Sequence, residues 1–528
     1  MHTRLSNHLK NLLFPCFAFS IAVGVISAIF ITAFKIAVDG IIHLSSYLYD
    51  IVRSEPIWLL LLIPCAALLG LAANFLLSYS HSCRGGGIPT SVAAIRGIVS
   101  FNWIKGIFLL PIASVISFFC GIPLGTEGPC VQMGTAIGEG VSKCFASKKQ
   151  KGWRRYVMTG GASAGFCIAT GSPISSILFS IEELHKRFSP LVLTVASLSV
   201  ISAHVTSQLL EAIGIGTLGL FHITAIDHMG LHLMFVPVFV GIACGIFSIL
   251  FTRLYHLIDK FMRFVRDKIS TAILFPIIFA TVATVGFFMA DALGSGHSLI
   301  DSILSARSLG YFLLIVFLLR MVAMMISNTS GITGGIFLPT LAFGAIIGSL
   351  CGNILIEIGW LPAEFYVFTV ILGITAFLGS TSRIPITACV FAIESLGGIN
   401  NILPLIIAAT VALLTVELSG LEDFTDTVIE SKIKSINPDK TPKIIEVALT
   451  VNSDSFVVGK ELRDILWPND CIIVSFERAP ENRENVGVSP GDVITVRYKT
   501  YDPEITSEEL TVLVGEQNFE KQLSVLTR

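Results

Sequence analysis

The sequence predicts an all-α polytopic membrane domain of two repeated halves, followed by a small α+β domain. Three observations predict it. The 528 residues are 53% hydrophobic and only 14% charged, far from a soluble average. Uncharged runs cover 12–34, 57–77, 106–124, 156–181, 189–210, 231–252, 272–290, 333–356 and 365–382, many of them reaching the ~20 residues that a membrane-crossing helix needs. Short motifs recur along the chain at a nearly constant offset.

The first run exceeds the apolar core of a signal peptide and lacks a convincing small-residue cleavage site, so it reads as a retained helix. A net charge of −2 argues against a nucleic-acid partner. Eleven cysteines without a C-x-x-C read as small apolar residues. The histidine spacing predicts no metal centre, and no GxxxxGK[ST] is present, so no cofactor is expected.

From Lys432 onward charges and prolines return, with a linker-like "SKIKSINPDKTPK". Alternating patterns predict strands at 444–451, 471–479 and 492–500, a short amphipathic helix at 459–467 and a turn at 488–492. The domains are therefore placed at 1–436 and 437–528.

The repeat rests on three pairs. "PISSILFSIEE" from Pro173 matches "PITACVFAIES" from Pro385, an offset of 212. "EGPCVQMGTAIG" from Glu127 matches "FLPTLAFGAIIG" from Phe337, an offset of 210, and "GGG" at 85–87 matches "GSG" at 294–296. These set the halves at about 12–215 and 228–435. Duplicated halves with Gly/Pro-interrupted apolar segments point to a transporter or channel, its breaks lining a central site rather than facing lipid.

Three breaks, at 85–89, 125–129 and 334–339, each precede a short apolar helix-like run. Helix starts expose unpaired N–H groups and a partial positive charge. Several converging starts would hold a dehydrated anion weakly enough to release it. Close helix packing through the glycines is the other reading. Glu127 places a carboxylate in this apolar setting, where ionisable groups usually serve a pathway. At a helix start it would compete with an anion, and on protonation swing aside; a plain N-terminal cap is the alternative. Glu182 and Glu183 close the next motif. The second half repeats Glu182 as Glu394 but has Ser395 in place of Glu183, so the shared acid reads as structural and Glu183 as the functional candidate. Arg320 interrupts an apolar span and receives no role.

These motifs resemble the CLC family of chloride channels and chloride/proton antiporters over roughly residues 12–435. "GGGIP" at 85–89 is similar to the family's GSGIP, "GTEGP" at 125–129 to its GREGP, and "GGIFLP" at 334–339 fills its GGIFxP. The resemblance implies two inverted halves, a homodimer and one anion pathway per subunit. It implies an external gating role for Glu127 and internal proton transfer for Glu183. Anion contacts would come from Gly86, Gly87, Ile88, Gly128, Ile336, Phe337 and Leu338, with Phe424 and Thr425 on the inner side. Three departures stand out. Gly86 replaces a serine, Thr126 replaces an arginine, and the inner tyrosine falls on Thr425 beside Phe424. Neither side chain supplies a phenol: Thr425 offers a hydroxyl and Phe424 bulk.

The tail at about 445–515 resembles the TrkA-C type of regulatory module through "VGKELRDI" and "VSPGDVITV". That implies a cytoplasmic dimeric domain, with a small regulatory ligand such as a cyclic dinucleotide as one reading and plain dimerisation as the other. It implies a multi-pass protein of the bacterial inner membrane, with both termini cytoplasmic. The basic cluster Lys148, Lys149, Lys151, Arg154 and Arg155 favours a cytoplasmic loop, whereas the family topology is taken to place that loop outside. The leading expectation is a proton-coupled chloride antiporter. A passive anion channel and a ligand sensor are the alternatives, and no enzymatic nucleophile–base pair is evident.

Overall fold

The computed structural model describes residues 14–85, 87–99, 101–145, 152–216, 219–221, 228–307, 310–436, 443–468, 471–482, 487–501 and 503–523. Gly86, Lys148, Lys149 and Lys151, named above, lie outside the described residues. The first half contains α1 (Phe14–Ser54), α2 (Leu59–Ser78), α3 (Ile88–Ile95), α4 (Trp103–Phe119), α5 (Glu127–Phe145), α6 (Arg154–Thr170), α7 (Pro173–Phe179) and α8 (Pro190–Ala212). The second contains α9 (Phe235–Lys268), α10 (Thr271–Phe288), α11 (His297–Ser305), α12 (Gly310–Ser330), α13 (Phe337–Glu357), α14 (Tyr366–Thr381), α15 (Pro385–Ser395) and α16 (Ile402–Glu417), with α17 (Phe424–Ile436) after it.

Among the described residues, nine helical segments are long and apolar enough to cross a membrane. The run 156–181 is not one of them. Gly171 takes a left-handed turn at φ 73° and Pro173 starts α7, so the apolar stretch divides into two helices. Apolar composition alone could not reveal that break, because neither piece carries a charge between Tyr156 and Ile181.

The halves trade contacts in equivalent pairs. Gly125 and Gly335 form an isolated antiparallel bridge, with N–H···O distances of 2.6 and 2.7 Å. The Gly85 amide donates to Gly331 O, and the Gly294 amide donates to Gly121 O, each at 2.9 Å. Glycine also brings the long helices together. A Cβ at Gly134 of α5 would sit 2.0 Å from Gly161 O of α6, and one at Gly344 of α13 would sit 2.6 Å from Gly373 O of α14. Only hydrogen fits there, and the two pairs are related by the same offsets as the motifs.

The C-terminal part is a four-stranded antiparallel sheet in the order β2-β3-β1-β4, from β1 (Lys443–Val451), β2 (Ile472–Glu477), β3 (Val493–Thr500) and β4 (Gly515–Leu523). In β1, Ile445, Val447, Leu449 and Val451 alternate inward, as a half-buried strand requires. The three expected strands are present within two residues of their expected ends. The helix expected at 459–467 is not: only a 3-10 turn forms, at Leu462–Asp464. Its apolar residues Ile465, Leu466 and Trp467 turn into a buried loop instead, and the helix of this region is α18 (Pro503–Leu513), which, like β4, was not expected.

This module docks on the start of α6. Glu509 of α18 takes Arg154 at 2.8 Å and Arg155 at 2.5 Å. The Tyr156 hydroxyl donates to Asp464 O at 2.7 Å and accepts from the Leu466 amide at 3.0 Å. Phe456 packs on Trp153 and Tyr156 with ring centroids 5.6 and 5.8 Å apart. Arg154 and Arg155 therefore share a side of the molecule with the module. A loop outside and a module inside are incompatible at Arg154 and Arg155, and this corrects the family-topology expectation for those two residues: they face the same side as the module.

Candidate functional site

The three breaks meet at their glycines. A Cβ on Gly128 would lie 2.6 Å from Gly335 Cα and 3.0 Å from Gly87 Cα. Gly87 holds φ 132°, a conformation that side chains rarely adopt. The starts of α3, α5 and α13 are thus drawn to one point. No side chain caps α3 or α13. The first backbone bonds onto these helix starts come from the Ser91, Cys130 and Thr340 amides, so the preceding amides have the orphan character of any helix start. Ile88, Ile336, Phe337 and Leu338 are all buried here. The two readings of the glycines are compatible: they pack the breaks tightly, and that packing aims the helix ends.

Glu127 opens α5 and is fully buried. Thr126 Oγ1 donates to its Oε1 at 3.2 Å, while Oε2 lies beside Gly125 and has no partner among the described residues. The Glu127 amide itself lies against this carboxylate, as an acid at a helix start allows, yet Oε2 accepts no bond from a described residue. The equivalent residue of the second half, Phe337, is held by rings: Phe166 at 5.0 Å and Phe391 at 5.8 Å.

The second acid pair divides as the repeat implies. Glu182 accepts from the Ile386 and Thr387 amides at 3.2 and 2.6 Å, capping α15. Glu394 accepts from the Ile174 and Ser175 amides, both at 2.8 Å, capping α7. Each half thus supplies the other's cap, an arrangement favoured by charge and helix dipole together. Glu183 stays outside this exchange. It is buried, and its Oε1 accepts from Thr425 Oγ1 at 2.6 Å. Its Oε2 has no partner among the described residues. Thr425, expected to face the anion, gives its hydroxyl to this carboxylate. Its neighbour Phe424 packs against Phe251 and Tyr255 at 5.0 and 4.9 Å. Asp423 accepts the Thr425 amide at 2.9 Å and pairs with Lys186, which also reaches Asp426 at 2.6 Å. Beside this network opens a cavity of about 620 Å³ lined by Glu182, Lys186, Arg383, Glu422, Asp423 and Asp426.

Some positioning residues carried no signal that the sequence reading used. Gln132 accepts the Gly87 amide at 2.7 Å and donates to Ser82 O at 2.8 Å, fixing the first break. Arg320 is buried and pairs with no acid among the described residues. It donates to Asp291 O, Leu293 O and Gly294 O at 2.7–2.8 Å, holding the loop before α11. Its single charge inside an apolar span was the available clue. His228 and His232 do stand four residues apart, a spacing with metal-binding precedent on a helix. Here Gly230 separates them and His228 Nδ1 meets Asn400 O at 2.9 Å; no cluster of three metal-ligating side chains occurs among the described residues.

A family model described as voltage gated chloride channel matches residues 65–417. The H(+)/Cl(-) exchange transporter ClcA of Vibrio cholerae is 28% identical over 429 residues, spanning 79% of this chain and 89% of that relative. The protein of the same name from Klebsiella pneumoniae is 27% identical over 384 residues, spanning 72% and 80%. Among solved structures, a slow cyanobacterial Cl-/H+ antiporter superposes with a TM-score of 0.73 at 22% identity, over 80% of this chain and 99% of that one. A CLC-type fluoride/proton antiporter gives 0.61 at 20% identity, over 76% and 95%. Those likenesses establish the fold. The family match stops at residue 417, before α17 and the sheet module.

Proposed function

This chain belongs to the voltage gated chloride channel family, and from that premise we propose that it exchanges chloride, or a similar small anion, for protons across a membrane. The observation that carries the reading is Glu127: a buried carboxylate with one oxygen unpartnered among the described residues, at the meeting point of three helix starts. Ionised, it occupies the place an anion would take. Protonated, it loses its hold on the orphan amides and yields the site. Gly87, Ile88, Gly128 and Ile336 to Leu338 would present the anion-binding backbone, with Gly86 at the same break. Glu183 would exchange protons on the side where the module docks, Thr425 holding its carboxylate.

In this reading residues 1–436 form the transport domain, its halves inverted and its copies paired as a homodimer. The reciprocal glycine bridges and caps support a two-fold relation between the halves. The basic start of α6 favours the cytoplasm, and the docked module follows it there, in an inner-membrane protein. Residues 437–528 would act as a TrkA-C-like regulatory domain answering a small ligand. No enzymatic step is assigned.

The test is paired flux in liposomes carrying a chloride gradient and no proton gradient. Chloride movement should drive protons uphill; chloride flux that never moves protons defeats the antiport reading. One observation favours a passive channel instead. The Thr425 hydroxyl is committed to Glu183 and Phe424 to an aromatic cluster, which leaves the inner constriction without the phenol of the family pattern. The same flux measurement separates the two.

A further inference from the structure

Between the membrane part and the module lies a second cavity, of about 260 Å³, that the transport reading does not use. Its walls come from three places: Ile95 and Arg96 at the end of α3, Arg155 at the start of α6, and His185, Lys186 and Arg187 in the turn after α7. The module roofs it with Leu466, Trp467, Pro468 and Cys471. Five of these residues are basic or histidine, and no carboxylate is among the described lining residues.

The nearby acids hold these side chains by particular groups. Asp426 takes Arg96 Nη1 at 3.2 Å, and Asp423 and Asp426 take Lys186. Glu509 takes Arg155 Nη2. Arg155 is buried, yet its Nη1 has no partner among the described residues. Arg187 makes no ion pair with a described carboxylate and spends Nη2 on Ile465 O at 3.3 Å. A buried guanidinium nitrogen without an acceptor is costly. Guanidinium forks match oxyanions better than halides, and the volume far exceeds a single halide.

We propose that this cavity is a binding site for a phosphate-bearing anion, held by Arg155 and Arg187 beneath the turn at Trp467 and Pro468. Such a ligand bridges the module to the turn at 185–187. That turn follows Glu183 directly, so occupancy bears on the mobility of the segment carrying that residue. Two sources share the chemistry: free inorganic phosphate, or the phosphate group of a nucleotide.

Titration calorimetry on the full-length protein in detergent, in a gluconate background, tests the site with inorganic phosphate, AMP and chloride as separate probes. The expected result is saturable binding of phosphate or AMP, one per chain, with chloride far weaker. Comparable affinities for phosphate and AMP assign the site to the phosphate group alone; tighter AMP assigns it to a nucleotide. Arg187→Gln keeps the Arg155–Glu509 pair and should weaken binding about tenfold or more, the worth of a charge-assisted hydrogen bond. Arg187→Lys, which keeps the charge, should fall between. Absence of saturable binding, equal binding of chloride, or binding indifferent to Arg187→Gln overturns the proposal. The titration reads the same whether or not the chain moves chloride, so its failure is distinct from failure of the antiport reading.

Discussion

The two halves build one backbone device twice and then furnish it differently. At residues 125–129 and 335–339 a glycine bridges to its counterpart, and a helix starts two residues later. The first half places Glu127 there, buried and half unpartnered; the second places Phe337, locked between two rings. The acid pair repeats the lesson. Glu182 and Glu394 exchange helix caps, whereas Glu183 faces Thr425, and its counterpart Ser395 meets the Ser172 hydroxyl. Where the halves agree, the residue holds the fold together. Where they differ, the first half carries a group able to titrate and the second a group that is not.

The sharpest way to break this comparison is to remove the unshared acids. Glu127→Gln is expected to reduce proton movement in liposomes to background while chloride flux persists. Glu183→Val should also abolish proton movement and spare chloride; unchanged coupling in that variant would unseat Glu183. Thr425→Val comes next. It strips Glu183 Oε1 of its donor, a loss of about 1–3 kcal/mol for a buried group, so the proton-to-chloride ratio should fall, and Thr425→Ser should restore it. The shared acids should behave otherwise. Glu394→Ala or Glu182→Ala removes a cap worth about 1 kcal/mol, which thermal unfolding in detergent would register alike for both, with the transport ratio intact. Smallest is Glu509→Ala. Transport should remain, while hydrogen exchange at the start of α6 quickens as the module loosens.

Much of this was legible in the chain. Apolar runs marked most of the membrane helices, because a helix surrounded by lipid or by other helices is apolar on every face. The strands β1 and β3 announced themselves by alternation. The halves were visible because the motifs at Pro173 and Pro385 match position by position. Other parts were not legible. In 156–181 the uncharged run by itself reads as one long helix; Gly171 and Pro173 are the local marks of the break, and the left-handed turn at Gly171 carries it out. The segment 459–467 has helical periodicity, but the Tyr156 hydroxyl claims both Asp464 O and the Leu466 amide, and tertiary contact overrides propensity.

By itself, the sequence determined that this protein lives in a membrane, that short motifs of its membrane part recur at a nearly constant offset, and that the matched positions differ at Glu127 and Glu183. These follow from composition and from aligned positions, which need no coordinates. Only the tertiary structure decided which partners those residues have. It brought Gly87, Gly128 and Gly335 within backbone contact, gave the Thr425 hydroxyl to Glu183, and set Arg154 and Arg155 against the module. Contacts between segments far apart in the chain depend on how the whole folds, and no local pattern of residues records them.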